Sequence, residues 1–110
     1  MRNDPQRLAD VIRSIDNIQK YAARGRKILE TDELLQVWMV HHLQIIGEAS
    51  AQLSKEFKKK HSDIPWQQII GLRNIIVHEY FAIDLDEIWI TLERDLPKLK
   101  DAIRKKVRNP

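Results

Sequence analysis

"IPWQQIIGLRNIIVHEYF", Ile64 to Phe81, decides how the rest of the chain is read. Its aliphatics Ile69, Ile70, Leu72, Ile76 and Val77 recur at helical spacing. Pro65 suits a first helical turn, where a missing N–H is no loss. Gly71 lowers helix propensity by about 1 kcal/mol relative to alanine, so a close helix–helix approach is expected there. The second half, Arg73 to Tyr80, is the unusual part. It threads an arginine, an asparagine, a histidine, a glutamate and a tyrosine through an apolar run, where an amphipathic helix would normally keep its charge on the opposite face.

The surrounding sequence reads as helix throughout. Asp4 and Pro5 look like a cap and first turn, followed by Leu8, Val11, Ile12, Ile15 and Ile18 at helical spacing and by Gly25 as a stop, which gives a first helix over about 5–24. A second start at Thr31 leads into Leu34, Leu35, Trp38, Met39, His42, Ile45, Ile46, Ala49 and Leu53, and predicts one long helix reaching about Lys59. The opening stretch is the third helix. "DLDE" begins the fourth, with Asp84 as cap and Glu87 three residues on, and Pro97 predicts a kink or break within it. No strand-like alternation, repeat or low-complexity segment interrupts this pattern. The fold expected is all-α, a four-to-five-helix up-down bundle forming a single domain over 1–110.

Composition bounds the chemistry. With 43% hydrophobic and 32% charged residues, 110 residues can bury a core without staples. There is no cysteine, which excludes disulfides and Cys-based zinc sites and suits a reducing cytoplasm. No apolar leader is apparent at the start and no run is long enough to span a bilayer. The net charge of +3 is unevenly spread, with clusters at "KEFKKKH" (Lys55–His61) and "RKKVR" (Arg104–Arg108). These read as solvated helix ends or as a phosphate-binding rim.

Within Arg73–Tyr80, Asn74 and His78 stand at i and i+4 and are neighbours on a helix. Arg73 lies five residues from His78, about 140° round and 7.5 Å along, a gap a long arginine can bridge. The trio can converge on one phosphate-sized ligand if the helix ends near His78. Arginine offers a fork of donors suited to phosphate, histidine moves protons near neutral pH, and asparagine orients a neighbour or holds an oxygen. "HEY" is not an H-E-x-x-H metal helix, and there is neither a Gly-rich phosphate loop nor a nearby serine–histidine–acid set. The set suits metal-independent cleavage of RNA, whose 2′-hydroxyl is an internal nucleophile. A purely structural arginine–histidine pair fits the same spacing. Glu48 is expected to pair with an arginine across the bundle or an interface. Trp66 and Trp89 read as core anchors, Trp38 and His42 as core or dimer packing, and the adjacent His41 and His42 point about 100° apart and make a poor metal pair.

Taken together, "HLQIIGEAS" (His42–Ser50), "IPWQQIIGLRNIIVHEYF" and "DLDEIWITLERDLPKLK" (Asp84–Lys100) resemble the HepT-like toxins, a branch of the HEPN superfamily of helical ribonucleases. The resemblance implies a bundle that dimerises, with the R-x4-H motifs of two protomers lining a cleft. On this chain it implies that Arg73 stabilises the scissile phosphate, His78 acts as general acid or base, and Asn74 supports the geometry. It further implies RNA products ending in a 2′,3′-cyclic phosphate, no metal and no cofactor. Tyr80 matches the tyrosine that a partner nucleotidyltransferase antitoxin adenylylates in such type VII-like toxin–antitoxin systems. Glu79, beside the histidine, is a departure, expected to raise the histidine pKa and also to repel RNA phosphate. Two other readings of the sequence stand beside the enzyme: a non-catalytic helical partner of a nucleotidyltransferase, and a non-specific nucleic-acid binder that draws on the basic clusters.

Overall fold

The computed structural model describes residues 3–74 and 85–108. His78, Glu79, Tyr80 and the expected cap Asp84 lie outside the described residues. Every regular element among the described residues is helical, as the all-α reading requires.

Helix α1 spans Asp4–Ala22. Its cap is Asn3 rather than Asp4: the Asn3 side chain accepts from Gln6 N, and the Gln6 side chain accepts from Asn3 N, a reciprocal capping box. Asp4 is instead the first helical residue, and its carboxylate accepts from Ser54 N at 3.0 Å. Leu8, Val11, Ile15 and Ile18 form the buried stripe. Gly25, at φ 102°, turns the chain into a short helix α2, Arg26–Thr31.

The long second helix expected over Thr31–Lys59 is divided at both ends. Thr31 belongs to α2, where its hydroxyl donates to Lys27 O at 3.0 Å. Asp32 is the cap that starts α3, Glu33–Ala51, accepting from Leu35 N at 3.0 Å. The chain then breaks, and Ser54 caps a separate α4, Lys55–Lys60, by accepting from Phe57 N at 3.1 Å. Leu53 and Phe57 are buried on either side of the break. Their four-residue spacing fits one continuous helix equally well, so periodicity cannot reveal the interruption.

Helix α5, Trp66–Gly71, follows Pro65. Trp66 donates its indole N–H to the carbonyls of Lys58 and His61, both at 3.0 Å, and fastens the end of α4 to the start of α5. Helix α6, Leu85–Ile90, runs through a π-helical turn, Thr91–Asp95, into α7, Leu96–Arg108. Pro97 does not break this rod. The helix widens before it, with Leu96 N donating to Thr91 O, which makes room for a ring that would clash with a carbonyl one α-turn back.

The side-chain contacts fix the topology. Arg7 reaches Gln52 O, Ser14 faces His42, and Tyr21 packs on Trp38, so α3 runs antiparallel to α1. Arg26 pairs with Asp86, and Lys100 pairs with Asp16 at 2.6 Å, so the α6–α7 rod also runs antiparallel to α1. Val11, Ile15, Ile18, Leu43, Ile46, Ile69, Leu96 and Leu99 meet in the centre with no exposed surface. Trp66 and Trp89 pack against this core, as read from the sequence. No described helix is long and apolar enough to cross a membrane.

His42 is half-buried between α1 and α3. Its Nδ1 lies 3.2 Å from Ser14 Oγ and its ring 4.3 Å from that of Trp38. Burial, and secondarily the neighbouring His41, hold its pKa below 6.5. As pH falls, the unfolded chain therefore takes up this proton before the folded one does. The stability contributed by neutral His42 is complete above about pH 6.5 and is lost as pH falls through the depressed folded value. The thermal unfolding temperature should drop between about pH 7 and pH 5, and less steeply in His42→Gln. Equal slopes for the two proteins would show that His42 is not responsible.

Candidate functional site

The α-helix that carries the candidate site ends earlier than its periodicity suggests. It stops at Gly71 and tightens into a 3-10 turn, Leu72–Asn74. Leu72 is buried and anchors this turn, while Arg73 and Asn74 face solvent. Arg73 and Asn74 are thus adjacent at the mouth of the turn. Their relation to His78 and Tyr80 lies outside the described residues, and so does the i, i+4 placement of Asn74 beside His78.

What seats the turn is Gly47 of α3. A Cβ at Gly47 would collide with the backbone nitrogen of Arg73 and would stand 3.0 Å from the carbonyl oxygens of both Ile69 and Ile70. The end of α5 and the 3-10 turn therefore lie backbone-to-backbone on α3, which only a glycine permits. This corrects the reading of Gly71. A Cβ there would meet nothing within 4 Å among the described residues, so the close approach to α3 is made at Gly47 and not at Gly71. The signal for Gly47 was present in the sequence as a glycine inside an apolar helical stripe, a residue that costs helix stability without a packing reason.

The next residue of α3, Glu48, meets the Arg73 side chain. Its carboxylate stands 3.8 Å from the guanidinium, with the two side chains 61% and 40% exposed. This is the arginine partner anticipated for Glu48. A pair this open to water contributes at most about 1 kcal/mol to stability, so its main effect is to orient the guanidinium over the end of α5. Gly47 and Glu48 act on different parts of one residue, the first on the backbone of Arg73 and the second on its charge.

The remaining candidates are placed more plainly. Trp38 is half-buried, its ring edge-on to Tyr21 at 4.8 Å and to His42 at 4.3 Å. The Arg24 guanidinium stands 5.0 Å from the centre of the Tyr21 ring. This aromatic row bridges α1 and α3. Among the described residues no group of His, Asp and Glu is arranged to hold a metal ion. Chemically, the described part of the site offers an arginine fork partly neutralised by a carboxylate, with an amide beside it. That set can hold an oxyanion, and proton transfer needs a further group such as His78.

Comparison with known proteins bears on the family that the sequence resembles. A family model described as "Ribonuclease HepT-like" matches residues 11–106. "Probable ribonuclease HepT" of Thermococcus cleftensis is 32% identical over 108 residues, covering 94% of this chain and 96% of that protein. A protein of Methanocaldococcus jannaschii named "Putative RNase" is 32% identical over 101 residues, 87% of this chain and 89% of its own. A protein of the same designation from Caldanaerobacter subterraneus is 41% identical over 73 residues, 66% of this chain and 65% of its own. No solved structure matches the chain.

The two glycines should respond in opposite ways to the same change. Gly47→Ala must push the Arg73 turn off α3 and should destabilise the protein by about 1–3 kcal/mol. Gly71→Ala meets open space and should be neutral or stabilising by up to about 1 kcal/mol. Urea unfolding of both variants checks this, and equal stability of the two would show that the turn does not rest on Gly47.

Proposed function

This chain belongs to the HepT-like ribonuclease family, and from that membership we propose that it is a metal-independent endoribonuclease toxin. The observation that carries the proposal is the surface-held Arg73–Asn74 pair, presented at the end of α5 and backed by Gly47 and Glu48. The composite site consists of Arg73, Asn74 and His78. In the proposed reaction, neutral His78 takes the proton of the 2′-hydroxyl as O2′ attacks the adjacent phosphorus. The P–O5′ bond breaks, and the departing O5′ receives a proton from an acid, for which the charged His78 of a second protomer serves. The products are a 2′,3′-cyclic phosphate and a free 5′-hydroxyl. Arg73 meets the charge that gathers on the non-bridging oxygens, where a fixed donor fork is most effective. Asn74 keeps the geometry of the site.

A dimer is part of this proposal. On α3, Leu34, Val37, His41, Ile45 and Glu48 lie on one helical face. Leu34 is 83% and Val37 46% exposed, an apolar start to a face that ends at Glu48 and hence at Arg73. A second copy packed along this face approaches the arginine. Tyr80, two residues from His78, is the proposed site of adenylylation by a partner nucleotidyltransferase antitoxin. An AMP group there adds bulk and negative charge and excludes an anionic RNA.

Protein prepared free of that partner should cleave RNA, and Arg73→Ala and His78→Ala should each slow cleavage by about 100-fold or more. AMP-sized added mass at Tyr80 should abolish it. If wild type and both variants degrade RNA at the same rate, or if none does, the enzyme proposal is wrong and the non-catalytic partner role replaces it. For the dimer, Leu34→Glu combined with Val37→Glu should halve the mass seen by light scattering and abolish cleavage. A dimer that persists would place the interface elsewhere.

A further inference from the structure

Helix α4 carries more positive charge than its packing uses. Its six residues include four lysines and one glutamate. A helix C-terminus presents only about half a negative charge, which one cation answers. Lys58 is committed locally, its ammonium directed to the Ala51 carbonyl at the end of α3 at 3.4 Å. Lys55, Lys59 and Lys60 are exposed, and none is in an ion pair among the described residues. Lys55 and Lys59 stand at i and i+4 and share a line, and Lys60, about 100° round from Lys59, extends the exposed charge to the flank of the helix. Phe57 is buried beneath them, so the lysines form the outer edge of a helix that is anchored from within.

The position of this edge matters as much as its charge. Trp66 fastens the end of α4 to the start of α5 by two hydrogen bonds. Helix α5 is six residues long and delivers the chain directly to Arg73. At 1.5 Å per residue its length is about 9 Å, so the C-terminal end of α4, with Lys59 and Lys60, and Arg73 stand at the two ends of one short strut, with Lys55 one turn further back along α4. Lysines are flexible point charges that track a backbone without reading bases. A membrane surface would need an apolar face beside the charge, and the apolar side of α4 is spent on the core.

We propose that Lys55, Lys59 and Lys60 form a sequence-independent binding track for the sugar–phosphate backbone of single-stranded RNA, leading the strand to Arg73. The assignment of RNA rests on the ribonuclease reading above. The track supplies affinity and salt dependence, and leaves bond cleavage to the site itself.

The test is fluorescence anisotropy of a labelled single-stranded 20-mer RNA, bound by full-length His78→Ala protein so that the RNA stays intact. Titrations across about 50–200 mM NaCl give the slope of log affinity against log salt, near −0.7 for each phosphate neutralised on a single strand. Replacing Lys55, Lys59 and Lys60 together by glutamine should make the slope shallower by about 2 and weaken binding at least tenfold at the lowest salt. A control replacing Lys20, Lys27 and Lys98, exposed on α1, α2 and α7, removes the same charge and should change binding less than twofold. In the His78-containing enzyme the α4 variant should raise KM and keep kcat. Unchanged slope, equal weakening by the control, or no RNA binding at all overturns the track. RNA held through α4 by a wild-type protein that cuts nothing removes the enzyme reading and leaves the track. Cleavage that ignores the α4 substitutions does the reverse.

Discussion

The contact on which the candidate site depends is the one between Gly47 and the backbone of Arg73. Hydrophobic burial holds α5 to the bundle through Ile69 and Leu72, but burial is non-directional and tolerates small shifts. A backbone-on-backbone contact does not. With no Cβ on α3, the end of α5 settles to a single depth, and the 3-10 turn leaves Leu72 inside and Arg73 outside. The position of the arginine is thereby determined by packing, and its side-chain direction by the adjacent Glu48. Two consecutive residues of one helix thus convert a generic helical bundle into a surface that presents a cation at a defined point.

Much of this was legible in the sequence, and the parts that were not share a cause. The apolar stripe of α1, the punctuation at Gly25, and the core positions of Trp66 and Trp89 follow from spacing alone, whereas the stripe read for α3 is offset: Leu34 is exposed, and Val40 and Leu43, left out of the reading, are buried beside Met39 and Ile46. Glu48 could be read as an arginine's partner because a carboxylate beside a glycine in an apolar helix needs one. The break at Ser54 could not be read from period, since Leu53 and Phe57 keep the stripe in phase on both sides. Asn3 displaced Asp4 as the cap because the capping box with Gln6 satisfies two backbone donors at once, and a lone acidic residue before a proline offers no such reciprocity. Gly71 attracted the close-approach argument that belonged to Gly47. Both are glycines in apolar helical context, and only the third dimension shows which one has a neighbour. At Pro97 the expected disturbance is present but appears upstream as a π-helical turn, where a widened hydrogen-bond pattern keeps the rod continuous.

Charge on this molecule is distributed by function of place rather than by number. Lys100 bridges to Asp16 and Gln19 and ties α7 to α1, and Arg26 joins α2 to α6 through Asp86 while also pairing with Glu30. These cations serve as clasps between elements. Lys55, Lys59 and Lys60 of α4 are in no ion pair among the described residues. A cation without a carboxylate partner is fully available to a polyanion, whereas one in a clasp must first be released from its partner.

Arg73 falls between these two cases, and that intermediate state suits the proposed chemistry. A buried ion pair would fix the guanidinium well, yet separating it would leave an uncompensated charge at a cost of about 3–5 kcal/mol. An unpaired arginine would be free to bind phosphate but would sample many rotamers, and ordering it would draw on side-chain entropy of up to about 2 kcal/mol. An exposed pair at 3.8 Å, about half open to water, restrains the side chain and holds it only weakly. A phosphate can then replace Glu48 as the partner of Arg73 at little cost, because it offers more charge and a better match to the arginine fork. Weakness in this contact leaves one residue both positioned in the free protein and available to the anionic substrate proposed for it.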